Sequence, residues 1–442
     1  MAKRQMHMGV FVLGTGNHQA GWRYEGAATS HMQLPVMQEI ARIAERGKFD
    51  LLFISDSMVM DPTDHPSFLC RFEPTTLITA LAMSTTHVGL GATVSTSFSE
   101  PFNVARIFGS IDHLSGGRAA WNVVTTSNLK AAQNYSREEH YDHELRYARA
   151  QEFVDVVKGL WDCWEDDAIV ADKATGRYVD PDKVRPLNHK GRFFQVRGPI
   201  NQARPPQGHP VIIQAGGSPS GLELAARTAD VVFSVVQELE PAKAAYADLK
   251  HRMAKYGRAP EAIAVLPGVM PVIGATEEEA RAKLARLQSW ITPTNAITLV
   301  ASRIGYDVSG HDLDAPVPPP PPSQGGLTFH RVLYEMAKRE NMTLRDLYNL
   351  TAAARGHWVV VGTPQKIADT LEQWFVEQAA DGFNILPPYF PGGFADFVEL
   401  VIPELQRRGL FRRDYEGKTL REHFGLAPAP SPAAQRHAMA GE

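Results

Sequence analysis

The alternation of short apolar runs with longer amphipathic segments is the feature that most constrains the fold of this chain. Eight runs have the composition of buried strands, and segments with helical spacing of apolar residues separate most of them. The predicted strands are residues 6–13, 49–54, 88–94, 118–124, 210–214, 231–236, 262–273 and 382–386. Because repeated β/α units form parallel sheets and eight strands close a barrel, this pattern predicts a (β/α)8 TIM barrel of the α/β class.

An open, doubly wound sheet is the alternative fold for such a pattern. That fold usually has a phosphate-binding GxGxxG loop after its first strand. Here residues 14–19 have the sequence GTGNHQ, with Gln19 in place of the third glycine, and no clear helical pattern follows. The loop therefore does not favour the open sheet over the barrel.

Composition and charge argue against several functional classes. The formal net charge is −4 and no long run of Lys or Arg occurs, so we expect no nucleic-acid binding. No window approaches about 18 uninterrupted apolar residues, so we expect no membrane span. Cys70 and Cys163 are far apart and have no further cysteine or histidine cluster near them. We therefore expect no disulfide framework, no metal site, and a location in the reducing cytoplasm.

The domain organisation is predicted as one barrel with an insertion and a tail. Residues 1–426 form the barrel domain, and residues 427–442 form an Ala/Pro-rich tail that is disordered or packs on a neighbour. Residues 291–326 contain a proline-rich run and are predicted to be a stiff, solvated insertion rather than core. We interpret this insertion as a substrate lid. A surface loop without function is the alternative.

Polar residues follow several of the predicted strands at the point where each strand ends. They are Asp56 and the residues within the ranges 93–97, 122–128 and 214–218. In a parallel barrel these ends meet around one rim, which carries the active site. Residues 216–218 have the sequence GGS before a predicted helix, where backbone N–H groups can bind phosphate. A simple tight turn is the alternative.

A predicted helix after the fourth strand carries His143 and Tyr147 one turn apart, with Arg146 beside them. These side chains suit a phosphate and the polar edge of a ring, whereas an ordinary polar helix face is the alternative. The chain has no GxSxG nucleophile motif at a strand end and no HExxH motif. The sequence therefore gives no support for a serine-hydrolase or zinc-protease site.

Several motifs resemble those of one enzyme family. The matching segments are 52–56 (LFISD), 91–96 (GATVST), 100–102 (EPF), 114–126 (LSGGRAAWNVVTT), 205–216 (PPQGHPVIIQAG), 379–388 (AADGFNILPP) and 405–409 (LQRRG). Together they resemble the luciferase-like flavin monooxygenases grouped with nitrilotriacetate monooxygenase and dibenzothiophene-sulfone monooxygenase. The resemblance covers residues 5–426, and residues 252–258 (RMAKYGR) make it greatest to the nitrilotriacetate branch.

This resemblance implies a two-component flavin-dependent monooxygenase. Such an enzyme binds reduced FMN (FMNH2) supplied by a separate NAD(P)H:flavin reductase. It uses O2 to oxygenate a small organic substrate through a flavin peroxide, with cleavage of a C–N or C–S bond. The resemblance also implies a homodimer or homotetramer. It leaves the substrate open among aminopolycarboxylates, sulfones, thioethers and alkanes.

The resemblance also assigns site residues, position by position. The residues that match flavin-binding positions are Asp56, Thr93, Asn122, His143, Tyr147, Gly217 and Ser218. Gly217 and Ser218 match the phosphate end, where relatives often have Gly-Ser-Ser, so one hydroxyl is lost at Gly217.

The catalytic candidates are His143, Asn122 and His330, with His311 and His357 as further histidines for proton transfer. For the histidines in or near the insertion, an exposed or structurally satisfied side chain is the alternative.

Aromatic and cationic side chains complete the predicted pocket. Those considered for apolar walls are Phe11, Trp22, Phe98 and Trp121, and core packing is the alternative for Phe11. Arg303 and Arg331 would suit an anionic substrate. Three other functions remain open: a deazaflavin (F420)-dependent oxidoreductase on the same fold, a non-catalytic flavin-binding protein, and a barrel without flavin.

Overall fold

Eight parallel strands close into a barrel in this computed structural model, which describes residues 4–62, 64–320 and 328–432. The described residues also contain strands outside the barrel. All their strands, in chain order, are β1 (His7–Phe11), β2 (Leu51–Ile54), β3 (Gly89–Ser95), β4 (Ala119–Val124), β5 (Ile169–Asp172), β6 (Arg177–Val179), β7 (His189–Lys190), β8 (Gln195–Val196), β9 (Val211–Gln214), β10 (Val231–Ser234), β11 (Ala264–Ile273), β12 (Trp358–Gly362) and β13 (Gly382–Ile385). The barrel order is β1-β2-β3-β4-β9-β10-β11-β13, and β13 pairs with β1 to close it. The predicted (β/α)8 barrel is confirmed.

The helices lie between the strands and cover the barrel. They are α1 (Leu34–Arg46), α2 (Pro66–Leu69), α3 (Pro74–Ala82), α4 (Pro101–Ser115), α5 (Leu129–Gln133), α6 (His143–Trp161), α7 (Pro219–Thr228), α8 (Leu239–Met253), α9 (Glu277–Ser289), α10 (Pro293–Ile304), α11 (Thr328–Arg339), α12 (Leu344–Ala354), α13 (Pro364–Val376), α14 (Gly392–Asp396), α15 (Ile402–Arg407) and α16 (Leu420–His423). Sequence signals set many of their starts. Ser218 and Thr363 cap α7 and α13 with their side chains, and proline occupies the first turn of both helices.

The barrel wall separates two apolar cores. Successive residues of a strand point to opposite faces, so one set fills the lumen and the other packs on the helices. On β4, Ala120 belongs to the lumen core, whereas Trp121 belongs to the outer core and packs against Phe108 and Phe153. The prediction that Trp121 forms a wall of the site is therefore wrong, because it lies on the outer face of its strand.

The base of the lumen is closed by α16. Leu420 is fully buried in the lumen core, and its backbone N–H donates to Gly117 O at 2.9 Å. The next residue, Arg421, forms an ion pair with buried Asp230 at 3.1 Å, and Asp230 also accepts a hydrogen bond from Ile212 N. A segment distant in sequence thus anchors to the amino ends of the barrel strands.

The segment 168–198, between α6 and β9, contains two short antiparallel hairpins. Strand β5 pairs with β6, and β7 pairs with β8. Their residues are mostly exposed, so little apolar periodicity marked them in the sequence.

The insertion differs from its prediction as a solvated loop. Within residues 291–326, α10 forms a helix, and Val300, Ile304 and Val308 are buried. Together with α11 and α12 they form a separate apolar core. The apolar residues at helical spacing form this helix, and the proline-rich run begins only after it has ended. Residues 321–327 lie outside the described residues.

Residues 328–354 form two helices, α11 and α12, rather than one continuous helix. Asn341 lies between them with a φ of 51°, a left-handed conformation that a continuous helix does not contain. Across the ranges that the structure describes, no helix has both the length and the apolar character to cross a bilayer.

Leu420→Ala tests the role of α16 in closing the barrel. Loss of a fully buried leucine from the lumen leaves a cavity and lowers the free energy of unfolding by about 2–5 kcal/mol. Denaturation in guanidinium chloride measures the change. Leu400→Ala is the matched control, because Leu400 is 48% exposed. Equal shifts for the two variants would contradict the proposed packing of α16.

Candidate active site

A cavity of about 440 Å³ opens in the barrel near the carboxyl ends of the strands. Its lining residues are Phe11, Phe53, Ser55, Asp56, Ser57, Asp64, Phe68, Asn122, Ala215, Phe233, Val235, Arg355 and His357. They come from β1, β2, β4 and β10, from the segments that follow β2, β9 and β10, from α2, and from the turn before β12. The cavity therefore lies on the rim that the strand-end polar residues predicted.

Three phenylalanines from different strands form an apolar floor for this cavity. Phe11 lies with its ring centroid 5.3 Å from that of Phe53 and 5.7 Å from that of Phe233. The Phe53 and Phe233 centroids are also 5.7 Å apart. Such a surface suits a planar, aromatic ligand. Phe11 lines the cavity and also belongs to the lumen core, so both interpretations of this residue meet at one position.

Asn122 presents a fixed hydrogen-bond acceptor on the cavity. The Thr93 hydroxyl donates to Ile54 O at 2.9 Å, which leaves Thr93 Oγ1 to accept from Asn122 Nδ2 at 2.8 Å. These two hydrogen bonds set the orientation of the Asn122 amide. Asn122 Oδ1 is buried and has no hydrogen-bond partner among the described residues. A ligand N–H group would satisfy it.

Asp56 lies on the cavity wall beside an arginine that the sequence did not single out. Its Oδ1 is 4.0 Å from Arg71 Nε, and the Arg71 side chain is buried. Burial raises the pKa of the Asp56 carboxyl above its ordinary value, and the positive charge of Arg71 opposes the rise. The two groups form an ion pair at the end of β2.

His357 reaches the cavity because a glycine faces it. The imidazole stacks on Phe233 with a centroid distance of 4.9 Å and an interplanar angle of 11°. A methyl group at Gly268 would overlap this imidazole and would lie 2.7 Å from Phe233 Cε2. The lack of a side chain at Gly268 of β11 therefore makes room for the ring pair.

A second set of polar residues lies where α6 and α7 begin. The Tyr147 hydroxyl lies 3.1 Å from the position that a Cβ of Gly216 would occupy, whereas open space surrounds Gly217. Ser218 caps α7 by accepting a hydrogen bond from Gly221 N at 3.1 Å. Because Ala215 lines the cavity, this turn continues directly from its wall. The turn thus leads into a helix N-terminus, where backbone N–H groups generally favour an anion.

His143 belongs to this second group and not to the cavity wall. Its ring centroid is 4.8 Å from that of Tyr147, and its Nδ1 is 3.0 Å from Glu144. Glu144 also accepts a hydrogen bond from the Ser220 hydroxyl at 2.9 Å, which joins the beginnings of α6 and α7. His143 therefore lies next to the turn at the start of α7.

The structure thus places the predicted site residues in two adjacent groups. Asp56 and Asn122 line the cavity, with Thr93 directly behind Asn122. The other group consists of His143, Tyr147, Gly217 and Ser218.

The remaining candidates lie elsewhere. His311 is exposed and Trp22 is 42% exposed, whereas Phe98 stacks on Tyr135 at 4.7 Å. The side chains of His330, Arg303 and Arg331 lie outside the described residues.

Sequence reasoning missed Phe233 and Arg355 as cavity residues, and it missed Arg71 as the partner of Asp56. Phe233 was detectable, since it alternates with outward-facing residues along β10 and therefore points into the lumen. Arg355 follows α12, and no local pattern indicates that this turn returns to the rim. In the parts of the chain that the structure describes, no group of three His, Cys, Asp or Glu residues is arranged to hold a metal ion.

Comparison with known proteins identifies relatives over nearly the full chain. The family model for luciferase-like monooxygenase matches residues 6–382. N-acetyl-S-(2-succino)cysteine monooxygenase of Bacillus subtilis (strain 168) is 50% identical over 428 residues, which cover 96% of this chain and 97% of that protein. Nitrilotriacetate monooxygenase component A of Aminobacter aminovorans is 47% identical over 441 residues, with the same two coverages.

Solved structures share the architecture. The crystal structure of a riboflavin lyase with modified FMN and riboflavin superposes with a TM-score of 0.83 at 30% identity, covering 97% of each chain. The F420-dependent tetrahydromethanopterin reductase of Methanopyrus kandleri has a TM-score of 0.56 at 14% identity, covering 90% of this chain and 99% of that one. The second likeness extends to the fold alone.

Gly268→Ala tests the close packing of His357 and Phe233. The added methyl group overlaps the imidazole, and we expect the free energy of unfolding to fall by about 1–3 kcal/mol. Denaturation in guanidinium chloride measures the change. Gly392→Ala is the control, because its added carbon would meet Tyr389 at an ordinary 3.4 Å. If Gly268→Ala were as stable as this control, the ring pair would have room to move and the packing argument would be wrong.

Proposed function

The chain belongs to the luciferase-like monooxygenase family, and from this premise we propose that it is the oxygenating component of a two-component system that uses reduced FMN. The observation that carries the proposal is the fixed acceptor at Asn122 in the same cavity as the aromatic floor. A flavin ring is flat and apolar on its faces and has an N–H group on its edge. The cavity offers a partner for each feature.

The residues around the cavity fit the remaining parts of FMN. We assign the phosphate to the turn at Gly217 and Ser218, where backbone N–H groups at the start of α7 favour an anion. Tyr147 and His143 stand beside that turn, and Asp56 and Thr93 support the ring end. This assignment uses the seven positions that the sequence resemblance indicated.

Reduced FMN supplies, when bound, the electrons with which O2 is activated for insertion of one oxygen atom into the substrate. The protein's contribution is to hold the ring, to orient the substrate and to exclude water. The three phenylalanines provide the dry surface. His357 lies on the cavity wall, and we assign it the transfer of a proton at an imidazole nitrogen.

The partners follow from the chemistry of the relatives. One relative is named as component A of nitrilotriacetate monooxygenase, which supports a separate reductase that delivers FMNH2. The two relatives are named for an amine and a thioether, so we propose cleavage of a C–N or C–S bond in a small organic substrate. We also propose a homodimer or homotetramer, which sedimentation analysis would test.

The insertion is proposed to act as the lid of this site. Its helix α10 shares an apolar core with the two helices that follow the insertion, α11 and α12, and α12 leads directly into Arg355 on the cavity wall. A unit that packs mainly on itself can move against the barrel without disrupting the lumen. Residues 1–426 are thus one barrel domain that carries a helical lid.

Flavin binding provides the first test. Fluorescence quenching of FMN, and anaerobic titration with FMNH2, are expected to reveal a site, and Asn122→Leu is expected to weaken it roughly 10- to 100-fold by removing a buried hydrogen bond. Asn201→Leu changes an exposed asparagine and is the control. The protein mixed with FMN, NADH, a flavin reductase, air and an organic substrate should then form an oxygenated product. Absence of affinity for FMNH2 would refute the proposal. Tight binding without O2-dependent turnover would favour a flavin-binding protein, and preference for F420 would favour the deazaflavin alternative.

His357→Gln tests the proton-transfer role. Loss of a positioned acid–base group is expected to lower kcat roughly 100-fold while the Kd for FMN stays unchanged. The yield of product per NADH consumed should also fall. His311→Gln, at an exposed histidine, provides the matched control. Unchanged kcat in His357→Gln would exclude this assignment.

A further inference from the structure

Arg355 is the point at which the chain returns to the barrel after the insertion and the helices α11 and α12. Helix α12 ends at Ala354, and Arg355 occupies the next position and lines the cavity. Its guanidinium lies 4.3 Å from the centre of the Phe68 ring, which also lines the cavity. The side chain therefore faces the space in which a substrate would bind.

The backbone at Arg355 has an unusual conformation. Its φ and ψ are 57° and 32°, a left-handed geometry that glycine or asparagine adopts more readily at the end of a helix. Hydrogen bonds fix the turn: Arg355 N donates to Thr351 O at 2.7 Å, and Gln237 Nε2 donates to Gly356 O at 2.8 Å. The turn that carries the Arg355 side chain is therefore held in place by its neighbours.

The charges around the cavity favour Arg355 as the group that meets an anion. Among the described residues that line the cavity, it is the one arginine or lysine. The Asp56 carboxylate faces Arg71, so this pair adds little net charge. Asp64 is the other carboxylate on the wall, and its Oδ1 accepts a hydrogen bond from His65 N at 2.7 Å.

We propose that Arg355 binds a carboxylate group of the substrate, so that the enzyme acts on an organic acid. This inference rests on the proposed monooxygenase function and specifies its substrate class. A guanidinium binds a carboxylate through two parallel N–H···O bonds, which orients the ligand as well as holding it. The apolar part of the acid would then lie over the phenylalanine floor, with its reacting bond toward the flavin position.

Arg355→Gln and Arg355→Lys provide the main test. The probes are N-acetyl-S-(2-succino)cysteine, which carries carboxylates, and its fully esterified form, which carries none. For the acid, we expect Arg355→Gln to raise KM and the Kd of the FMN-loaded protein roughly 10- to 100-fold, because a charged hydrogen-bonded pair is lost. The KM and Kd of Arg355→Lys should fall between those of the unaltered chain and those of Arg355→Gln, since lysine keeps the charge and loses the paired geometry. Binding of the ester and of FMN should not change.

Two further variants separate this role from a structural one. Arg355→Gly removes the side chain and relieves the left-handed backbone, so its Tm should equal or exceed that of the unaltered chain while acid binding weakens as in Arg355→Gln. Asp64→Asn removes a negative charge from the same wall and should lower KM for the acid.

Three results would overturn the proposal. They are equal losses of acid and ester binding in Arg355→Gln, a parallel loss of FMN binding, or an unchanged KM for the acid. Each of these results is distinct from a failure of the proposed function. If the proposed function were wrong, the unaltered chain itself would not bind reduced FMN and would not couple its oxidation to product formation.

Discussion

The alternation of side chains along parallel strands is the constraint on which both the barrel and its site depend. Each strand sends one residue into the lumen and the next toward the helices. On β4 this places Asn122 at the cavity and Trp121 in the outer core. The same rule places Phe11, Phe53 and Phe233 together as the floor of the cavity. The register that builds the hydrophobic core thus also builds the site, and a slip by one residue would lose both.

The eight strands and the rim were predictable because their signals are local. Apolar runs and the polar residues after them are adjacent in sequence, so Asp56 and Asn122 could be assigned without knowledge of the tertiary structure. The outward direction of Trp121 was available from the same alternation and was missed. The helical core of the insertion was also missed, because its proline-rich run suggested solvated chain while Val300 and Ile304 carried the helical spacing. Arg355 was not predictable, since its place on the cavity depends on how the inserted helices pack.

The polar groups of the site are held in place by neighbours that a ligand need not touch. Thr93 sets the amide of Asn122, Arg71 faces Asp56, and the missing side chain of Gly268 admits His357. Such support fixes the positions of the reacting groups before a ligand arrives. The insertion has its own core, so its sequence can vary without disturbing these contacts. Relatives with different substrates can therefore share one barrel.

The helix α16 has a consequence for how the molecule is made. Leu420 and Arg421 seal the base of the lumen, yet they are synthesised after all eight barrel strands. During translation the strands emerge first and fold from the amino end. The apolar interior of the nascent barrel is therefore open at its base until α16 leaves the ribosome. Exposed apolar surface of this kind promotes aggregation, although the finished barrel has no open edge.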